Sequence, residues 1–111
     1  MDKVQWLVRD YVEAFNRGVE TDDWRRWFAL LTPDIVLRFR GDSEGPFVGP
    51  KAIATAYRRR RPDDEIEVLD VHERDGHVII GYSWLRDPDI RAGEMRWTLS
   101  DGLIQEIEIT T

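Results

Sequence analysis

The apolar residues of this chain change their spacing once, and that change limits the fold more than any other feature. As far as Leu31 they recur at helical intervals. From Asp34 they alternate, and after Pro62 almost everything reads as extended, apart from one short helical stripe in between. A period near 3.6 marks a helix with one buried face, and a period of two marks a half-buried strand. Val4, Leu7, Val8, Tyr11, Val12 and Phe15 share one helical face, with Asp2 suited to cap its start and Gly18 to stop it. A second helix is predicted from near Thr21, where Asp22 and Asp23 favour a helix start. Trp24, Trp27, Phe28 and Leu31 form its stripe, and Thr32 and Pro33 end it.

Beyond Asp34, Ile35, Leu37 and Phe39 alternate with Val36, Arg38 and Arg40 as in a strand. The glycine-rich stretch from Gly41 to Gly49 turns the chain and leaves room for a short extra strand. Pro50 then opens a third helix with Ile53, Ala56 and Tyr57 on its stripe. Its end carries Arg58 to Arg61, which complement the helix dipole and precede Asp63, Asp64 and Glu65, so local charge pairing is expected.

Four strands are predicted next, at about 65–73, 77–86, 91–100 and 103–110, with turns at Asp75-Gly76, Asp87-Pro88 and Asp101-Gly102. For the last hairpin, a three-residue loop from Ser100 to Gly102 is expected to pair Leu99 with Leu103, Trp97 with Gln105 and Met95 with Ile107. Gln105 is then the one polar member of an apolar face. The turn at Asp75-Gly76 leaves open whether Asp70 and His72 share a side with Tyr82 and Trp84.

The resulting fold is α+β in the order α-α-β-α-β-β-β-β, with three helices on a strongly curved antiparallel sheet shaped as a conical half barrel. At 111 residues, this is a single domain over 1–111, able to bury roughly 65% of its unfolded surface. Five Trp, four Phe and three Tyr supply enough rigid aromatic surface to wall an internal pocket.

A net charge of -6 argues against nucleic acid, which demands a positive patch. The absence of cysteine excludes disulfides and thiolate metal sites and suits a cytoplasmic location. The opening stretch lacks the apolar centre of a secretion signal, and no run is long enough to span a membrane. The two histidines, His72 and His77, have no clustered carboxylates, so no metal and no cofactor are expected.

The segments 11–18 (YVEAFNRG), 31–34 (LTPD) and 45–53 (GPFVGPKAI), in that order, resemble a SnoaL-like member of the superfamily that includes nuclear transport factor 2 and ketosteroid isomerase. The resemblance covers almost the whole chain and implies an open cone with an internal cavity, usually in a homodimer through the open sheet face. It matches Tyr11 to the tyrosine of ketosteroid isomerase. The carboxylate base of that enzyme falls near Arg40, and its oxyanion acid near Arg91 or Ala92, so neither position here is acidic.

The pocket is expected to have Tyr11, Phe15, Trp27 and Leu31 on its helical side and Tyr57 from the third helix. Phe39, Arg40, Tyr82, Trp84, Met95, Trp97 and Gln105 are its strand side. Candidate catalytic residues are Tyr11, to polarise an oxygen, and Asp42 or His72, to move a proton, with Glu44 and Asp70 as further carboxylates. Two functions follow. One is a binding or interaction module whose aromatic pocket takes an apolar small molecule. The alternative is a cofactor-independent isomerase, cyclase or dehydratase that works by proton transfer.

Overall fold

The computed structural model describes residues 2–41 and 44–111. Helix α1 (Lys3–Thr21) starts where Asp2 accepts the Gln5 amide N–H at 2.8 Å and the Gln5 side chain accepts the Asp2 N–H at 3.0 Å. This reciprocal capping box satisfies two donors that a bare helix start leaves unpaired. Its buried face is Val8, Tyr11, Ala14, Phe15 and Gly18.

The helix runs through Gly18 instead of stopping there. A Cβ at Gly18 would lie 2.3 Å from the Trp24 ring, so glycine is the seat for that indole. The stop comes at Asp22, left-handed at φ 62°, whose N–H bonds the Gly18 carbonyl at 2.8 Å.

The second predicted helix shortens to one turn, α2 (Arg25–Phe28). Asp23 spends its carboxylate on Arg25, through the backbone N–H and the guanidinium, instead of capping a long helix. Strand β1 (Leu31–Phe39) therefore begins three residues earlier than expected, and Thr32 and Pro33 lie inside it. Pro33 is tolerated because β1 leaves its ladder between Leu31 and Val36. The extra strand is present as β2 (Phe47–Val48), followed by α3 (Pro50–Arg59).

Strands β3 (Ile66–Arg74), β4 (His77–Trp84), β5 (Arg91–Ser100) and β6 (Leu103–Thr110) form a meander. The sheet order is β2-β1-β6-β5-β4-β3. It is mixed and not purely antiparallel, because β1 and β6 pair in parallel. The chain between them passes through α3 and four strands, long enough to return in the same direction. The sheet stays open, with β2 and β3 at its edges.

The β5–β6 register differs from expectation. Asp101 and Gly102 both have positive φ, at 50° and 82°, which makes a two-residue turn and pairs Ser100 with Leu103. Gln105 is then the extra residue of a bulge between the Leu99–Ile104 and Thr98–Glu106 pairs. Ile104 and Ile107 are three apart, so only a bulge can turn both inward, and both are fully buried. Trp97 pairs with Ile107 and Met95 with Ile109.

A similar irregularity between Val68 and Asp70 settles the open question on β3. Val68 pairs with Tyr82 and Ile66 with Trp84 on the inner face, whereas His72 faces outward in one row with Ile79, Arg96 and Glu108. The arginine run does not pair with the acids that follow it. Arg61 reaches back to Asp22 at 3.9 Å, and Asp63 and Asp64 hold Arg86.

Candidate functional site

The inner face of the sheet meets α1, α2 and α3 at a cluster of aromatic rings. Tyr11 lies at its centre, brought there by the buried stripe of α1. Its ring centroid is 4.7 Å from that of Trp97 on β5, 6.1 Å from Trp27 on α2 and 6.2 Å from Phe15. Trp27 continues the cluster to Tyr57 of α3 at 5.4 Å and to Trp24 at 5.7 Å. Trp24 closes the circuit with Tyr57 at 5.0 Å. Tilted and edge contacts of this kind add to the stabilisation from burial alone.

The packing is dense but its polar groups are not all matched. Among the described residues, three buried side-chain polar atoms have no hydrogen-bond partner: Trp27 Nε1, Trp97 Nε1 and Ser83 Oγ. Two of them belong to the indoles on either side of Tyr11. An indole N–H is a donor only, and neither of these two has an acceptor in hydrogen-bond geometry. Burial pushes the Tyr11 phenol far above its ordinary value. The Trp27 indole pulls the other way, close to the phenol but outside hydrogen-bond geometry. Burial raises Tyr57 and Tyr82 as well.

The predicted pocket residues divide into groups. Tyr11, Phe15, Trp27, Leu31, Met95, Trp97 and Tyr82 are in the buried core, and Tyr57 and Trp84 pack against it half-buried. Phe39 sits at the far end of β1, in an edge contact with Phe47 at 6.4 Å.

The other two, Gln105 and Arg40, lie elsewhere, as does the catalytic candidate His72. Gln105 is carried by the bulge to Asp34, which it approaches at 3.4 Å and which also accepts from the Thr32 hydroxyl at 2.7 Å. Those two donors hold the Asp34 carboxyl below its usual range. Arg40 follows β1, with its N–H on the Ile109 carbonyl. Its side chain and His72 line a small polar depression on the outer face with His77 and Arg96, so neither reaches the aromatic cluster.

Of the candidate proton-transfer groups, Asp42 lies outside the described residues. Asp70 and His72 share the outer face, but the Asp70 carboxylate is held by Arg91 at 2.8 Å, and that bond lowers its pKa. Asp23 is likewise lowered by Arg25. Every described carboxylate with a shifted pKa is thus moved further towards permanent ionisation, each by specific hydrogen-bond partners. A general acid or base at neutral pH needs the opposite shift. Among the described residues, no group of three or more His, Cys, Asp or Glu gathers as a metal site would require, and no helix is long and apolar enough to cross a membrane.

Sequence reasoning missed the seat of Trp24 on Gly18, which only the fold brings together. It also missed a groove beside α3, although the paired rows of cations and alanines on that helix were a signal that could have found it.

Comparison with known proteins agrees with this architecture. Residues 8–107 match the family described as the SnoaL-like domain. No curated protein matches. Among solved structures, a nuclear transport factor 2-like protein from Cytophaga hutchinsonii is similar at 15% identity, over 93% of this chain and 84% of that one, with a TM-score of 0.68. A candidate ketosteroid isomerase from Kribbella flavida shares 20% identity over 97% of this chain and 76% of its own, with a TM-score of 0.68. A candidate polyketide cyclase from Sinorhizobium meliloti shares 20% identity over 90% and 93%, with a TM-score of 0.64. At such identities the likeness concerns the fold alone.

Proposed function

We propose that this chain, which belongs to the SnoaL-like domain family, is a binding module whose aromatic interior takes an apolar small molecule carrying an oxygen acceptor. The observation that carries this reading is the buried Trp97 Nε1, which has no hydrogen-bond partner beside Tyr11, together with Trp27 Nε1, which lies near the Tyr11 phenol but outside hydrogen-bond geometry. Each unmet buried donor costs about 1–3 kcal/mol, so a guest that supplies a carbonyl or ether oxygen there is favoured over a pure hydrocarbon. Trp27 rides on the single turn of α2, the shortest helix among the described residues, so displacement of this segment is the proposed route by which a guest enters.

Binding is favoured over proton transfer because the rings around Tyr11 offer neither carboxylate nor imidazole. We further propose that two copies pair through the outer sheet face. Its central row alternates Arg38, Glu108 and Arg96 across three strands, a pattern that can match itself under two-fold rotation. The absence of cysteine fits a cytoplasmic setting.

The test is a titration of tryptophan emission with 2-decalone and with decalin, which share a carbon skeleton and differ in one oxygen. Saturable binding of the ketone, weakened about fivefold in Trp97→Phe as one lost hydrogen bond would predict, supports the reading. Equal responses to ketone and hydrocarbon, or no saturation with either, overturn it.

A further inference from the structure

The arginine run at the end of α3 is the one sequence motif that neither the aromatic cluster nor the ion pairs absorb. Arg61 is engaged with Asp22 and with the Val19 carbonyl at 3.0 Å, and Arg58 with the Thr55 hydroxyl at 3.2 Å. Lys51, Arg59 and Arg60 make no ion pair among the described residues. Helix geometry brings these three together. Residues four apart stack along one face, so Lys51 and Arg59 stand in one row and Ala52, Ala56 and Arg60 in the next.

The second row is low because its first two members are alanines. Beside it Phe47 of β2 raises an aromatic wall, and the space between is a surface groove of about 700 Å³. Among the described residues, one acid, Glu44, stands at its rim. The groove thus has an apolar floor and wall for most of its length, and two guanidinium groups at the end where the helix stops. In a molecule with a net charge of -6, this concentration of unpaired cations is a local inversion of sign.

We propose that this groove is a second binding site, independent of the aromatic interior, for a soluble amphipathic carboxylate. The chain of the ligand lies against Phe47, Ala52 and Ala56, and its carboxylate meets Arg59 and Arg60, with Lys51 adding charge along the rim. Guanidinium groups present planar forks of N–H donors that match a carboxylate's two oxygens, and the apolar trough favours a ligand with a tail over a bare anion. A concave trough fits one extended chain better than a flat anionic bilayer does. The overall negative charge opposes approach to such a bilayer.

The experiment titrates the full chain with octanoate, and separately with octanol, inorganic phosphate and anionic phospholipid vesicles, while following backbone amide resonances. Octanoate is expected to shift Phe47, Ala52 and Ala56 in a saturable manner. Octanol and phosphate are expected to bind at least tenfold more weakly. Arg59→Gln with Arg60→Gln should weaken octanoate at least tenfold, whereas Arg96→Gln on the outer sheet face should leave it unchanged. Raised salt should weaken the wild type much more than the double variant. The proposal is overturned if octanoate shifts only residues of the aromatic interior, or if phosphate equals octanoate. It is equally overturned if vesicles bind more tightly than octanoate, or if the double variant binds it as the wild type does.

Discussion

At the residue scale, the three tyrosines of the chain, Tyr11, Tyr57 and Tyr82, are all buried in or against one core, and burial raises the pKa of each. The folded state therefore keeps phenolic protons that an unfolded chain releases at its ordinary value of 10.0. Below that pH both states are protonated and the stability is fully present. Above it the unfolded state binds fewer protons, so stability falls as pH rises towards the folded values. The slope approaches about 1.4 kcal/mol per pH unit for each tyrosine that stays protonated when folded. Urea midpoints measured between pH 8 and pH 11 should fall steeply above about pH 10, and less steeply in Tyr57→Phe. A midpoint that stays flat to pH 11 would contradict this account of the core.

At the element scale, two glycines of neighbouring strands look alike in sequence and differ in what surrounds them. A Cβ on Gly93 of β5 would lie 2.6 Å from the Thr110 carbonyl oxygen, a backbone atom of β6 that cannot move without breaking the ladder. The atoms nearest a Cβ on Gly81 of β4 belong to the Arg91 guanidinium, the far end of a flexible side chain. Gly93→Ala should thus cost about 1–3 kcal/mol by overpacking, and Gly81→Ala clearly less, in paired denaturant melts. The reverse order would mean that the β5–β6 spacing is looser than described.

This contrast also indicates how far the elements could be read from sequence. Alternation placed β3 to β6 within a few residues, because each strand is bounded by an aspartate-led turn and alternates over part of its length. What alternation alone misjudged was the register. Ile104 and Ile107, and likewise Val68 and Val71, are three apart, and that interval was the available signal for a bulge. The length of α2 was hidden for a different reason. Asp23 satisfies Arg25 two residues on, a local bond that competes with a longer helix, and nothing in the apolar spacing reports it. In the candidate site, the helical stripes placed Tyr11 and Trp27 on buried faces, where the structure has them. The positions of Gln105, Arg40 and His72 depended on strand pairing that spacing could not supply.

At the scale of the whole molecule, the outer sheet face is rich in charge of both signs, and its central row alternates Arg38, Glu108 and Arg96. If two copies pair through it, Arg96→Gln removes a charge from the alternating row with Glu108, without setting like charges opposite each other in one chain, and should shift the assembly towards monomer. Light scattering coupled to gel filtration reads this directly, and a wild-type monomer at high protein concentration would remove the pairing proposal.

The parallel ladder between β1 and β6 has a further consequence, in the order of events during folding. The hairpins from β3 to β6 join neighbours in sequence, with short loops to close. The β1–β6 ladder matches Leu37 with Ile107, across a loop of roughly seventy residues, whose ordering must be met before its hydrogen bonds contribute. The strand that completes the sheet is thus made of residues near the front of the chain, waiting for those near the back.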